Sequence, residues 1–212
     1  MRRKLSSMLL QGVITAAKSA MVVIASAVLA ASLSAQGATV QNTATTEPRY
    51  PIDVTFTWDA TLSNNVNNSR FWMQGAGAQI HGQFYRGFGA VADIAGTHTA
   101  NINSTGVGLD MVTATFGPRY TWSHANRKFQ FFAQGLAGVA NGFNSIFPAP
   151  NAANTVQTSV AVKAGGGVNI GLAPHIALRA IEANWLRTQF SNSTTNVQNN
   201  LTLGAGIMFK FR

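Results

Sequence analysis

Residues able to do chemistry are few in this chain of 212 amino acids, and none of them forms a catalytic or metal-binding pattern. The absence of cysteine excludes disulfides, thiolate metal sites and a cysteine nucleophile. The glycine-rich stretches, such as Gly165-Gly166-Gly167, do not complete a dinucleotide or phosphate-binding fingerprint. The histidines lack the i, i+4 spacing of a metal pair; they are His81, His98, His124 and His175. We therefore expect no catalytic residue, no metal site and no cofactor.

The positive charge of the chain does not indicate nucleic-acid binding. The formal net charge is +9, from 15 basic and 6 acidic residues. Arg2, Arg3, Lys4 and Lys18 lie in the first eighteen positions, which leaves 11 basic residues in the rest of the chain. These residues are dispersed, with no run longer than Arg127-Lys128, so there is no basic stripe for phosphate groups.

The composition favours an all-β protein. Only 10% of the residues are charged, against about 25% in an average soluble protein. A helical bundle needs many charged residues on its wet face, and a disordered chain lacks the 46% hydrophobic content found here. The abundant Gly, Asn, Thr, Gln and Ser suit strands and their connections.

The N-terminus resembles an export signal. A basic start precedes the apolar run Ala20–Ala31, and small residues follow up to Gln36. At 1.5 Å per residue, this run would span about 18 Å as a helix, short of the roughly 30 Å needed for a membrane anchor. We expect a secretory signal peptide over residues 1–35, a flexible leader over 36–49 and one barrel domain over 50–212.

An alternation of apolar and polar residues begins after the leader and continues to the C-terminus. Ile52, Val54, Phe56 and Trp58 share one face of the first segment, residues 52–62, and threonine and aspartate residues share the other. The last segment, 201–211, repeats this pattern. Six further segments fit the same template, with a bulge predicted at Ala180-Ile181; they are 75–84, 88–95, 109–122, 129–140, 158–172 and 176–187.

The connections between these eight segments alternate in length. Three are short, at 85–87, 123–128 and 173–175. Four are long and rich in Asn, Ser and Thr, at 63–74, 96–108, 141–157 and 188–200. This pattern predicts an eight-stranded antiparallel up-and-down transmembrane β-barrel, with its turns in the periplasm and its long loops at the cell surface.

The charged residues within the strands decide which face meets the membrane. In a soluble barrel the polar face is the outer one and carries many Lys and Glu residues. Here it carries a sparse and balanced set, which suits a closed interior of paired charges. The predicted lumenal charge network consists of Asp53, Asp59, Asp93, Arg119, Lys163, Arg179, Glu182 and Lys210, with Asp53 near Lys210 where the first and last strands close the barrel.

The aromatic residues give a second indication of a membrane barrel. Trp58 and Trp185 are candidates for one membrane interface. A girdle at the other interface, beside the short turns, is expected from Phe84, Phe88, Tyr120, Trp122, Phe129, Phe131, Phe209 and Phe211.

At this point the chain resembles the small OmpA-like outer membrane β-barrel family, over about Pro51 to Phe211. The terminal segment LTLGAGIMFKF looks like the assembly signal of that family, carried here by Leu203, Ile207, Phe209 and Phe211, although Arg212 follows the last aromatic residue. The resemblance implies a bacterial outer membrane location, with membrane lipids and the barrel assembly machinery as partners, and a monomer. The sequence does not identify a surface ligand.

Three functions remain open from the sequence. The expected one is a non-catalytic structural or surface-interaction barrel, because eight strands enclose a space only wide enough for side chains. A narrow pore is the first alternative. A lipid-modifying enzyme is the second, and it would need Ser, His and an acid on the lipid-facing wall; without the bulge, only Glu182 and Asn184 would be polar there.

Overall fold

The chain forms eight β-strands and no helix in the part that the structure describes. This structure, a computed structural model, describes residues 51–66, 69–103, 105–123, 128–149, 152–193 and 195–211. The predicted signal peptide and leader lie outside these residues. No helix among them is long and apolar enough to span a membrane. The strands are β1 (Ile52–Val66), β2 (Ser69–Tyr85), β3 (Phe88–Thr99), β4 (Leu109–Ser123), β5 (Phe129–Ala149), β6 (Ala152–Ala173), β7 (Ile176–Thr188) and β8 (Gln198–Phe211).

The strands form one closed antiparallel barrel in which each strand pairs with the next in the sequence. Closure comes from β1 and β8, which pair continuously from Ile52 opposite Phe211 to Leu62 opposite Leu201. Closure leaves no unpaired strand edge within the paired wall, which backbone groups in a lipid environment require. The eight-stranded up-and-down barrel predicted from the sequence is confirmed.

Side chains alternate between the outside and the interior of the wall, with the apolar set outside. On β4, Val112 and Phe116 are exposed, whereas Thr113 and Thr115 between them are buried. The same inverted arrangement holds on β1, where Phe56 and Trp58 are more than half exposed. An apolar outer surface over every strand is what a bilayer solvates and water does not.

The predicted bulge lies in β7. Ala180 and Ile181 both face outward, and the register of β7 against β8 shifts between Arg179 and Glu182. The extra residue keeps Arg179 and Glu182 on the same side of the wall, since a strand without a bulge would place them on opposite faces. Both side chains therefore point into the lumen.

Two of the four predicted long loops are strand instead. Residues 63–66 continue β1 and residues 69–74 begin β2, while residues 141–149 continue β5 and residues 152–157 begin β6. Backbone pairing continues here despite the Asn- and Ser-rich composition, for example between Ser63 and Phe71 and between Phe147 and Asn154. The described residues between β3 and β4 (100–103 and 105–108) and between β7 and β8 (189–193 and 195–197) are true loops at the same end of the barrel. We call this end of the barrel the loop end.

The opposite end, called the turn end, has tight connections. Arg86 and Gly87 connect β2 to β3, with φ angles of 35° and 94°. Both values lie in the left-handed region that two-residue hairpin turns require. An exposed arc of four aromatic rings lies at this end. Each ring contacts the next, with centroid separations of 4.6, 5.8 and 6.1 Å along the series Phe88, Tyr120, Trp122 and Phe131.

The hairpin of β5 and β6 is the longest, with strands of 21 and 22 residues. It extends past its neighbours at the loop end, where the last pairs to β4 and β7 are formed by Phe143 and Ala161. From Phe129 to Val162 it contains no charged residue. The first charge on β6 is the inward-facing Lys163.

Candidate functional site

The barrel interior contains most of the buried polar side chains and is the candidate site. The strands deliver them by alternation, since each inward position lies two residues from the next. From the turn end to the loop end, the interior holds an ionic layer, a group of threonines and an apolar cluster.

Arg179 forms the centre of the ionic layer, and its side chain is fully buried. Its Nη1 donates to Glu182 Oε2 at 2.6 Å, and its Nε donates to Asn169 Oδ1 at 3.0 Å. Glu182 also accepts hydrogen bonds from three amides, those of Gln79 at 2.8 Å, Gln134 at 3.0 Å and Asn184 at 2.7 Å. The carboxylate is thus saturated with donors, as a buried charge requires.

Arg119 is the second buried guanidinium of this layer. It donates to Gln134 Oε1 from Nε at 3.0 Å and to Gln79 Oε1 from Nη2. Gln79 Oε1 also accepts from Arg179, so one amide oxygen connects the two arginines. Both guanidinium groups lie over the ring of Phe132, at 4.5 and 4.6 Å from its centroid. The ring face offers the two like charges a favourable surface.

A second ion pair lies closer to the loop end. Lys163 pairs with Asp93, and both side chains are at most 5% exposed. Asp93 also accepts hydrogen bonds from Gln79 at 2.9 Å and from Thr115 at 3.2 Å. Through Gln79, this pair is connected to the arginine network.

The remaining three residues of the predicted network differ in their surroundings. Asp59 is buried in the lumen at 6% exposure. Asp53 lies directly opposite Lys210 in the β1–β8 register, but its hydrogen bond goes to His81 Nδ1 at 2.7 Å. His81 is a lumen residue that the sequence reasoning did not place in the network. Its signal in the sequence was its position on the same face of β2 as Gln79 and Gln83.

Glycines give the large polar side chains their space. A Cβ on Gly204 would lie 2.5 Å from Asp59 Oδ1, and one on Gly77 would lie 2.8 Å from Asp59 Oδ2. A Cβ on Gly165 would meet Asn184 Oδ1 at 2.4 Å. These glycines thus lie within strands, at positions where a neighbouring polar side chain occupies the space of a Cβ.

The loop end of the interior is apolar, which the sequence reasoning missed. We call this cluster the apolar lid. Ile102 and Phe190 come from the two true loops, and Phe71 and Phe147 come from the strand extensions; all four are at most 6% exposed. The other members come from strand positions facing the lumen, namely Met73, Leu109, Met111, Ala140, Ala161 and Leu186. The lid closes the mouth of the barrel with buried apolar side chains.

Gln198 fixes the loop that carries Phe190. Its Oε1 accepts from the backbone N–H of Phe190 at 2.7 Å, and its Nε2 donates to the carbonyl of Phe190 at 2.8 Å. The side-chain amide therefore pairs with this residue as a neighbouring strand would. Since Gln198 is buried, these bonds are shielded from water and hold Phe190 in the lid.

Cavities of different sizes lie at two levels of the interior. A cavity of about 10 Å³ lies among the threonines, between Asp59 and Met111. A larger cavity of about 130 Å³ lies at the turn end, lined by residues that include Asp53, His81, Arg119 and Lys210. The two cavities share no lining residue, and the bonds among Gln79, Gln134 and Glu182 lie between them.

The polar residues of the outer wall differ from those that the sequence reasoning considered. Glu182 and Asn184 point into the lumen, so they do not supply a lipid-facing site. His98, expected in a loop, lies in β3 and is 64% exposed beside Asp110. No group of three or more His, Asp or Glu side chains is placed to hold a metal ion in the described ranges.

The predicted assembly-signal residues lie on β8 and face outward in part or in full. Ile207, Phe209 and Phe211 are 49%, 38% and 56% exposed, and Leu203 is half-buried. Phe209 contacts Phe56 of β1 edge to face, with ring centroids 6.4 Å apart. Arg212 lies outside the described residues.

Comparison with known proteins identifies the fold. No protein-family model matches the chain, and no curated protein matches its sequence. Ail, the attachment invasion locus protein of Yersinia pestis, in complex with the heparin analogue sucrose octasulfate, is 14% identical with a TM-score of 0.52; the match covers 77% of this chain and 99% of Ail. Neisserial surface protein A (NspA) is 13% identical with a TM-score of 0.53, covering 76% of this chain and 97% of NspA.

These neighbours are bacterial outer membrane barrels, and they share the strand number and closure described above. The match spans nearly their whole length. The chain is thus a transmembrane β-barrel with the fold of the small OmpA-like proteins of the bacterial outer membrane.

Proposed function

We propose that this protein is a non-catalytic outer membrane barrel with a closed lumen, which presents its loop end for structural or surface-interaction roles. The observation that carries the proposal is the filled interior. The space among the threonines is about 10 Å³, which is no more than one water molecule needs. Water and ions would have to displace both the ionic layer and the apolar lid.

The strength of the buried ionic contacts supports a closed rather than a conducting barrel. Opening a path through the layer would break the bond between Arg179 and Glu182, with each group 3% exposed or less. Separating a buried pair without rehydrating it is strongly unfavourable. The lumen therefore resists opening by thermal motion of single side chains.

We further propose the membrane lipids and the barrel assembly machinery as partners, and a monomer as the working state. The outward apolar surface fits lipid contact, and the outward residues of β8 fit recognition during assembly. Barrel closure by β1 and β8 within one chain supports the monomer, since no strand of the wall is left for another copy to complete.

Planar bilayer recording tests the closed lumen. The full mature protein is reconstituted after a gel-mobility check that it is folded, and a sixteen-stranded porin in the same bilayer serves as the positive control. We expect no steady ion conductance from the wild-type protein. Steady conductance at low voltage would replace this proposal with the narrow pore.

A further inference from the structure

The outward face of every strand becomes polar close to the loop end. Below this level the outward residues are mainly apolar, such as Ile94 on β3 and Val112 on β4. The first polar outward residues mark the boundary between hydrocarbon and headgroups. From β1 to β8 they are Asn64, Gln74, His98, Asp110, Asn141, Thr158, Arg187 and Asn199.

One part of this boundary carries a distinct combination of side chains, here called the rim patch: Trp72, Gln74, His98, Asp110 and Asn144. Gln74 lies opposite His98, and His98 lies opposite Asp110. Trp72 is a diagonal neighbour of His98, and its ring is 53% exposed. Diagonal neighbours on one face are within reach of an aromatic side chain.

Three polar members of the rim patch, His98, Asp110 and Asn144, are hydrogen-bonded together. His98 Nδ1 hydrogen-bonds to Asp110 Oδ1, and Asn144 Nδ2 donates to Asp110 Oδ2. Asn144 reaches Asp110 from a register irregularity in β5, where its φ is 55°. Asn tolerates this left-handed conformation better than most residues. The carboxylate is therefore held in one orientation before any ligand arrives, which reduces the entropy lost on binding.

The chemistry of the rim patch suits a sugar. An exposed indole offers an apolar face to the C–H groups of a pyranose ring, while carboxylate, imidazole and amide groups exchange hydrogen bonds with hydroxyls. A phosphate suits it less, because Asp110 lies at its centre. Apolar wall continues directly below, at Ile94 and Val112.

We propose that the rim patch binds the sugar headgroup of a glycolipid whose acyl chains lie against the wall formed by β3 and β4. The headgroup stacks on Trp72 and bonds to His98, Asp110 and Gln74. This role goes beyond the structural function proposed above and does not depend on whether the lumen is closed.

Lipid binding by the folded protein tests the proposal. The protein is reconstituted in phosphatidylcholine nanodiscs with and without lipopolysaccharide, and affinity is taken from the shift in its unfolding midpoint as the lipopolysaccharide content rises. We expect Trp72→Ala and Asp110→Ala each to weaken the apparent affinity about tenfold, the equivalent of one well-placed contact. Trp58→Ala is the matched control, because Trp58 is similarly exposed at 57% but lies on β1 away from the rim patch.

Three results would overturn the proposal. Equal effects of Trp72→Ala and Trp58→Ala would show that any outward tryptophan contributes in the same way. An equal midpoint shift with phosphatidylglycerol, which is anionic and has no sugar, would show that the protein responds to charge. Release of fatty acid from lipopolysaccharide that is lost in His98→Ala would show hydrolysis instead of binding. Folding of each variant is checked by gel mobility.

Discussion

Replacing Arg179 with alanine should destabilise the barrel strongly. The side chain is fully buried, and it neutralises Glu182 at 2.6 Å while bonding to Asn169 and lying over Phe132. Its removal leaves a buried carboxylate without its nearest cation. Breaking a buried pair in this way typically costs 3–5 kcal/mol.

The structure places the expected cost at the lower end of that range. Glu182 keeps hydrogen bonds from the amides of Gln79, Gln134 and Asn184, which continue to stabilise its charge. Arg119 remains in the same layer, connected through Gln79. We therefore expect the free energy of unfolding to fall by roughly 3 kcal/mol in Arg179→Ala.

Reversible urea unfolding in phosphatidylcholine vesicles, followed by gel mobility of unboiled samples, measures this change. Arg187→Ala is the matched control, because Arg187 lies on the same strand but is exposed, and it should cost less than about 0.5 kcal/mol. The double variant Arg179→Met, Glu182→Gln removes both charges and should lose only about 1 kcal/mol. Equal losses of unfolding free energy in Arg179→Ala and Arg187→Ala would show that the interior is not an interdependent ionic layer. A loss in the double variant as large as the two single losses added together would show the same.

Three further predictions concern the wall and its orientation. A cysteine at Asn154 should react with a membrane-impermeant reagent in intact cells and one at Arg86 should not, since we expect the loop end outside; labelling at Arg86 alone reverses the orientation. Cysteines replacing Asp53 and Lys210 should cross-link on oxidation, because these positions are directly opposite in register; failure to cross-link in the folded protein argues against closure. Gly165→Ala should lower the free energy of unfolding by about 2 kcal/mol, because the added Cβ would lie 2.2 Å from a carbonyl oxygen. Gly135→Ala should be near neutral, because its Cβ would meet no atom within 4 Å. Equal unfolding midpoints for the two variants would contradict this.

The inward and outward residues of each strand could be predicted from the sequence, because side chains alternate with a period of two. In a membrane barrel the apolar residues of this alternation face outward, toward the lipid. The bulge at Ala180-Ile181 followed from the same rule, since Glu182 and Asn184 would otherwise face lipid. Partners inside the lumen could not be predicted in this way. Gln79 connects Arg119 to Arg179 across the barrel, and only the closed geometry brings these three strands together.

The strand ends and the apolar lid were beyond the sequence reasoning for a different reason. Val156 and Thr158 continue the alternation of β6, but the surrounding Asn, Pro and Ala residues have the composition of a loop. Ile102 and Phe190 are single apolar residues within polar loops, so periodicity gives no signal for them. The same error placed His98 in a loop and hid its pairing with Asp110.

The long uncharged hairpin of β5 and β6 also bears on how the barrel enters the membrane. Its loop-end tip must pass through the hydrocarbon before the barrel is complete, and each charged residue at the bilayer centre would add about 2.5–3.5 kcal/mol or more to that step. Between Phe129 and Val162 the hairpin carries no charge at all. The segment that must travel farthest is thus the one that meets the smallest electrostatic barrier, and the first charge after it, Lys163, is neutralised by Asp93 in the finished barrel.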